Sequence, residues 1–333
     1  MKNNIFVKDY KSILDIHDTQ IAIKLVKDTF EDKLSEKLNL TRVTAPLFVE
    51  PSTGLNDELS GLEKAVNFKA HNSNANLEIV QSLAKWKRHA LYKYKCEGIY
   101  TDMNAIRPFE DLDNIHSLYV DQWDWEKVVS TEQRNVKYLK EIVQSIYEVL
   151  IDTYKALNKS FPQIKHDLPE KITFITSEEL EKRYPNLTRK ERENAICHEF
   201  KAVFLMGIGN PLKKDGKPHD SRAADYDDWN LNGDILLWYE PLKIAFEISS
   251  MGIRVNKNSL LRQLEIKNEM YKLKYEYHQD ILNDVLPLTI GGGIGQSRMC
   301  MFMLNKVHIG EVQVSYWEKE DIDEFKKIGV NLL

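Results

Sequence analysis

Cysteine is scarce in this chain: three in 333 residues, at Cys96, Cys197 and Cys300. They are far apart, odd in number and without a Cys-x-x-Cys spacing. Neither a disulfide framework nor a structural zinc site is indicated, and a reducing, cytoplasmic compartment is expected. No apolar run reaches the length of a membrane span, and the opening MKNNIFVKDYKS has no apolar signal core, so neither insertion nor secretion is expected. An excess of one charge is also missing: 46 basic residues stand against 51 acidic ones, a net charge of −5. That excludes a protein held to nucleic acid by bulk positive charge and leaves room for a small cationic site. There is no internal repeat, low-complexity tract or Pro/Gly/Ser linker. Residues 1–333 therefore read as one domain, although the length suits one large or two ordinary ones.

What is present is a folded-protein composition, 42% hydrophobic and 29% charged, with room for a sizeable core. Helical periodicity covers 19 to 38 (Ile23, Val26, Phe30, Leu34 and Leu38, capped by Asp18) and 131 to 158, with Ser130 and Gln133 as a capping box. A third helix is expected over 259 to 283 with Asn258 as cap. Strand signals fall at Leu77–Leu83, Leu118–Trp125, Ile172–Thr176, Ala202–Met206, Ile235–Tyr239 and Ile244–Ile248, and Pro241 suits a hairpin between the last two. Strands come in groups between helices, which is the α+β pattern: an antiparallel sheet flanked by helices.

The glycine cluster Gly291-Gly292-Gly293-Ile294-Gly295-Gln296-Ser297-Arg298 runs from an apolar stretch into an expected helix. Glycines permit positive φ or close backbone approach, and a helix N-terminus attracts anions. A P-loop would need Gly-Lys-Ser/Thr, and a dinucleotide fingerprint would need a glycine at Gln296 and a βαβ unit beyond it; a plain tight turn stays open. A second segment, Gly98 to Asp111, leads through a loop of about seven residues into Leu118-Tyr119-Val120-Asp121-Gln122-Trp123-Asp124-Trp125-Glu126. Alternation puts Gln122, Asp124 and Glu126 on one face, either a polar site or the outer face of a sheet. Arg107 at the strand end suits bidentate phosphate binding. Asp225-Tyr226-Asp227-Asp228-Trp229 is acidic and by itself reads as a solvated turn. Asp234, with Glu247 of Phe246-Glu247-Ile248-Ser249-Ser250-Met251-Gly252-Ile253-Arg254, offers two carboxylates on neighbouring strands for Mg²⁺. Gln81-Ser82-Leu83-Ala84-Lys85-Trp86-Lys87-Arg88 ends a strand with several cations, just after the turn-like Asn56-Asp57-Glu58-Leu59-Ser60-Gly61.

Together these segments resemble a class II aminoacyl-tRNA synthetase catalytic core. Val43-Thr44-Ala45-Pro46-Leu47-Phe48 resembles motif 1, the Arg107 strand–loop–strand motif 2, and Gly293-x-Gly295-x-x-Arg298 motif 3. Motif 2 usually reads Arg-x-Glu, whereas here Arg107 and Glu110 are three apart. The strings SLAKWKR, SLYVDQWDWE, DYDDW, LNGDIL, ISSMGIRV and TIGGGIGQSR resemble, more narrowly and over essentially the whole chain, the ammonia-dependent aspartate–ammonia ligase family. The resemblance implies that aspartate, ATP and ammonia become asparagine, AMP and diphosphate through β-aspartyl-AMP. It implies Arg107 at the α-phosphate, Arg298 at the adenine or terminal phosphate, and Glu110 and Ser250 beside the nucleotide. Asp234 and Glu247 would hold Mg²⁺. Lys87 with Ser82 would take the α-carboxylate, Asp124 and Asp227 the α-ammonium, and Gln122 would lie near the reacting carboxyl. Asp57 would bind ammonium and take its proton. The motif 1 resemblance implies a homodimer. No anticodon-binding barrel precedes the core and no cationic excess serves tRNA, so tRNA is not expected as a partner. A tRNA ligase fragment and a catalytically dead binding module are the rival readings; the second sits poorly with both motif arginines.

Overall fold

The computed structural model describes residues 4–57, 59 and 64–333. In chain order the elements are α1 (Ile16–Leu38), β1 (Thr41–Arg42), β2 (Phe48–Val49), β3 (Asn67–Lys69), β4 (Asn76–Ile79), α2 (Ala84–Tyr94), β5 (Gly98–Ile106) and β6 (Tyr119–Val128). Then come α3 (Val136–Ser160), β7 (Thr173–Thr176), α4 (Ser177–Arg183), α5 (Arg189–Phe200), β8 (Ala202–Met206), β9 (Asp227–Tyr239) and β10 (Ile244–Arg254). The last are α6 (Lys257–Lys267), α7 (Glu276–Leu282), β11 (Thr289–Gly295), α8 (Gln296–Met303) and α9 (Lys319–Lys327).

One eight-stranded sheet runs β1-β5-β6-β11-β10-β9-β8-β7, and a small second sheet runs β2-β4-β3. The large sheet is mixed, which corrects the antiparallel expectation: β1 is parallel to β5 and β7 is parallel to β8, while every pairing between β5 and β8 is antiparallel. Helices α1 and α3 and the buried α8 share one core with β6, β9, β10 and β11. Trp123 and Trp125 point into that core, and Phe30 of α1 stacks on Trp123 with ring centres 4.7 Å apart. Because strand side chains alternate, the same packing turns Gln122, Asp124 and Glu126 to the opposite face.

Local capping moves several expected boundaries. Helix α1 starts before Asp18 because the Asp15 carboxylate accepts from the Asp18 N–H at 2.8 Å. Ser130 and Gln133 do bond reciprocally, but they close a turn; α3 begins at Val136 under an Asn135 cap. The helix expected over 259 to 283 begins earlier, under Asn256 rather than Asn258, and is broken at Asn268, which turns left-handed at φ 58°. The strand expected to Leu83 ends at Ile79, and Lys87 stands on α2. The connection between β5 and β6, residues 107–118, is longer than expected. Of the turn-like stretch 56–61, residues 58, 60 and 61 lie outside the described residues.

One buried histidine ties stability to pH. His308 is 2% exposed, packs edge-on against Trp317 and Phe325, and accepts from the Gly310 N–H through Nδ1 at 3.0 Å. Burial lowers its pKa from the ordinary 6.5 to about 4. The neutral ring therefore contributes fully above pH 6.5, and that contribution is lost as pH falls toward 4. Between pH 7.5 and 4.5 the parent should lose about 2–3 kcal/mol more stability than His308→Gln in urea unfolding.

Candidate active site

The face of the sheet turned away from α1 and α3 forms the floor of a cleft of about 470 Å³. Its floor follows from register. Thr101, Asp124, Gly293, Ser250 and Asp234 lie opposite one another across β5, β6, β11, β10 and β9. Three strand spacings separate Asp124 from Asp234, about 14 Å, so the cleft has two chemically different ends.

At the β6 end, Lys87 projects from the first turns of α2 onto Asp124, an ion pair in which both side chains are almost fully buried. Lys87 also donates to the Gly292 carbonyl at 2.9 Å. The second oxygen of Asp124, Oδ2, is buried and has no hydrogen-bond partner. Beneath this pair lies a buried triad. Arg254 donates to both oxygens of Glu126, at 2.6 to 3.1 Å, and through its other arm to Asp227. Burial works against the Arg254 charge, but Glu126 and Asp227 outweigh it and hold its pKa well above the ordinary value. Asp227 is pushed up by burial in opposition to Arg254.

Two guanidiniums face the middle of the cleft. Among the described residues Arg107, at the end of β5, donates only to the Gln81 carbonyl, at 3.3 Å from both Nε and Nη2. Burial lowers its pKa; the Glu110 charge opposes this and the Arg298 charge adds to it. Arg298 on α8 donates to the Glu247 backbone carbonyl at 3.1 Å, with the Glu247 carboxylate 3.9 Å away. Both cations keep unused charge in a place where an anion would relieve their mutual repulsion.

At the β9 end Asp234 pairs with Arg222, which also bridges Asp220 at 2.7 Å. Burial raises the Asp234 pKa to about 8, Arg222 opposing and Glu247 reinforcing the rise. The other oxygen of Asp234, Oδ1, is buried without a hydrogen-bond partner. A hard divalent cation suits this excess of negative charge. No cluster of three or more His, Cys, Asp or Glu side chains that could hold a metal occurs among the described residues. The fit is therefore two carboxylates, with phosphate and water completing the shell.

Of the residues singled out in the sequence, Ser82, Lys87, Arg107, Glu110, Gln122, Asp124, Asp227, Glu247, Ser250 and Arg298 all line this one cleft. Asp57 and Asp234 do not. Asp57 lines a second, smaller cavity, and Asp234 is paired with Arg222, which does line the cleft. Two expectations for the glycine cluster are corrected. None of Gly291, Gly292, Gly293 and Gly295 has positive φ; they form β11 itself. The start of α8 is not left open for a phosphate, because the Asp121 carboxylate accepts from the Ser297 N–H at 3.0 Å. Sequence reasoning missed Arg222, noted Asp220 only as a residue preceding the acidic run, and gave Arg254 no role. Arg222 stands alone ahead of an acidic run, and no spacing ties it to Asp234.

The mixed sheet, with arginines over its open face, defines a class: the catalytic fold of the class II aminoacyl-tRNA synthetases. The structure superposes with a TM-score of 0.65 on an asparaginyl-tRNA synthetase from Entamoeba histolytica in complex with asparaginyl-adenylate, at 14% identity, covering 90% of this chain and 68% of that one. The Pyrococcus horikoshii asparaginyl-tRNA synthetase complexed with asparaginyl-adenylate gives 0.65 at 17% identity, over 89% and 68% of the two chains. At such identities the likeness is one of fold. The family model described as aspartate-ammonia ligase matches residues 17–329, and this chain belongs to that family. An aspartate–ammonia ligase of Clostridium perfringens is 54% identical over 100% of both chains, and one of Fusobacterium nucleatum is 57% identical over 97% of this chain and 99% of its own.

The triad under the cleft makes a strong demand on Arg254. Arg254→Met leaves the Glu126 and Asp227 carboxylates buried without their counter-charge, and urea unfolding at pH 7.5 should show a loss of about 3–5 kcal/mol. Adding Glu126→Gln should restore part of it.

Proposed function

We propose that this chain joins L-aspartate and ammonia into L-asparagine at the expense of ATP, releasing AMP and diphosphate through β-aspartyl-AMP. The observation that carries the reading is one cleft, in a chain of the aspartate–ammonia ligase family, that combines a buried Lys87–Asp124 pair with two under-used arginines.

A carboxylate is a poor acyl electrophile, so its β-oxygen first attacks the α-phosphorus of ATP. The new C–O–P link forms as the bond to the β-phosphate oxygen breaks and diphosphate leaves. Arg107 binds the α-phosphate and stabilises the charge that builds there. Arg298 holds the adenine or the terminal phosphate, with Glu110 and Ser250 beside the nucleotide. Asp234 and Glu247 suit Mg²⁺, which when bound draws charge off the β- and γ-phosphates. The aspartate α-carboxylate goes to Lys87 and Ser82, and its α-ammonium to the free Oδ2 of Asp124. Entry of the zwitterion exchanges one ion pair for two and leaves no buried charge bare. Asp227, already bound to Arg254, adds negative potential from beneath. The Gln122 amide orients the reacting carboxyl.

Ammonia is mostly ammonium at neutral pH, and Asp57 takes its proton. The freed NH₃ attacks the β-carbonyl, the C–N bond forms, the C–O bond to AMP breaks, and one further proton leaves. Residues 1–333 act as one catalytic domain, in the cytoplasm, where the three thiols stay reduced, without tRNA and as a homodimer. The exposed Leu47 and Phe48, the latter edge-on to Phe68, support pairing through the 43–48 segment.

With ATP, aspartate, Mg²⁺ and ammonium chloride, AMP and asparagine should form one to one, and neither glutamine nor tRNA should replace ammonium. Aspartate-dependent exchange of diphosphate into ATP without asparagine would assign a different acceptor. Asp57→Asn should lower asparagine formation at least tenfold, by the usual worth of a general base, and spare that exchange. A parent-like rate would remove Asp57 from the mechanism.

A further inference from the structure

The second cavity, about 260 Å³, lies behind the first turn of α2. The two cavities share a wall rather than residues. Gln81 and Lys85 face the second cavity, Ser82 and Ala84 face the cleft, and Asp57 accepts from the Ala84 N–H at 3.2 Å through Oδ2. Asp57 thus stands between them with its other oxygen, Oδ1, unused.

Two buried acceptors belong to this cavity. Asp57, 1% exposed, has no hydrogen bond to Oδ1 among the described residues; Lys85 Nζ is 3.6 Å away, beyond hydrogen-bond reach. His278, 0% exposed, has Nε2 3.0 Å from Asp225 Oδ2. A carboxylate cannot donate, so Nε2 carries the proton, and in the neutral ring Nδ1 is a bare lone pair. Nδ1 also has no hydrogen-bond partner among the described residues. Lys85 is itself turned toward Asp225, at 3.3 Å. Unpaired buried acceptors cost free energy until a donor meets them. Lys64, Lys85 and Lys272 line the cavity against Asp57, Glu78 and Asp225, so its charges balance, and what the two bare acceptors call for is an N–H donor that enters from outside.

We propose that the second cavity is the entrance and holding site for ammonia or ammonium, with Asp57 Oδ1 and His278 Nδ1 as its acceptors, so that the acceptor enters from the opposite side of α2 to ATP and aspartate. This rests on the ligase reading above. It separates the routes of two substrates: the nucleotide and amino acid fill the 470 Å³ cleft, while the 260 Å³ cavity has room for ammonia and a few waters. Asp57 then meets the nitrogen before the adenylate does.

Two substitutions test it without touching the cleft. Asn67 is exposed on β3 and lines only the second cavity, so Asn67→Trp narrows the mouth. His278→Gln keeps a donor for Asp225 and exchanges the ring Nδ1 acceptor for an amide oxygen displaced from its position. Each should raise the KM for ammonium chloride at least fivefold. The KM for aspartate and the rate of aspartate-dependent diphosphate–ATP exchange without ammonium should stay within twofold of the parent. An ammonium KM unmoved in either variant, or exchange falling in step with asparagine synthesis, overturns the proposal. Absence of exchange in the parent would instead overturn the ligase reading on which it rests.

Discussion

Side chains are missing from the middle of the sheet, and the charged floor of the cleft depends on that absence. A Cβ on Gly291 would stand 1.8 Å from Glu126 Oε2 and 2.6 Å from an Arg254 nitrogen. One on Gly293 would stand 2.5 Å from the Gln122 amide oxygen. Strand β11 is thus a trough across which Arg254 of β10 reaches Glu126 of β6. Gly252 extends the trough on the other side, where a Cβ would come within 2.9 Å of the Asp227 carboxyl carbon. The glycines serve close approach of side chains lying across the strand, with the backbone in ordinary extended geometry. A buried ion cluster of this kind roughly breaks even in stability against an apolar replacement. What it does is fix three charged side chains in one arrangement beneath Lys87 and Asp124.

The charges above that floor are kept in two different ways. Lys87 and Asp124 face one another, so the fold has already met the cost of removing both from water before any ligand arrives. A zwitterion can take its place between them without exposing either. Arg107 and Arg298, by contrast, hydrogen-bond to neutral backbone carbonyls at 3.1 to 3.3 Å, with the Glu247 carboxylate looser beside Arg298 at 3.9 Å. A carbonyl positions a guanidinium without neutralising it, so these two retain field for an anion. Pre-paired ions at one end and unspent ones in the middle match an amino acid at one and a polyphosphate at the other.

How much of this was legible in the sequence depends on the physics behind each signal. Gln122, Asp124 and Glu126 could be placed on one face because strand alternation is strict and the tryptophans between them mark the core side. Even so, alternation did not reveal that Glu126 is sealed under the floor by Arg254, since that contact spans 128 residues of chain. The pairing of Asp234 with Glu247 was read as neighbouring strands, which holds, but β10 carries an irregularity between Glu247 and Ser249. Glu247 consequently lines the cleft while Asp234 is bound to Arg222. Helix starts moved because several Ser, Asp or Asn residues compete for each cap, and the choice among Asp15 and Asp18, or Ser130 and Asn135, is made by tertiary packing of the apolar face. The glycine cluster was noticed for a good reason: composition signals close approach, and here the protein's own side chains come close to β11 while Gly292, Gly293 and Gly295 also line the cleft; it is the expectation of positive φ that fails.

The shared fold also shows where a ligase of this kind must differ from a tRNA synthetase. Both need a carboxylate activated by ATP, and in the proposed reading a sheet carrying Arg107 and Arg298 would serve that step whatever the acceptor. An acyl-adenylate is open to attack by water, so the acceptor has to be held close enough to outcompete it. For a tRNA hydroxyl that holding is done by a large partner outside the cleft. For a molecule the size of ammonia no outside handle exists, and the holding groups must belong to the wall itself. Asp57 occupies that wall, bonded to the start of the helix that carries Lys87. In the proposed reading, the helix that would fix the amino acid and the carboxylate that would meet the nitrogen are joined at the start of α2, through the Ala84 N–H and the neighbouring Lys85. On those assignments, selection of acceptor and selection of acid would be coupled by that geometry and not by the sheet.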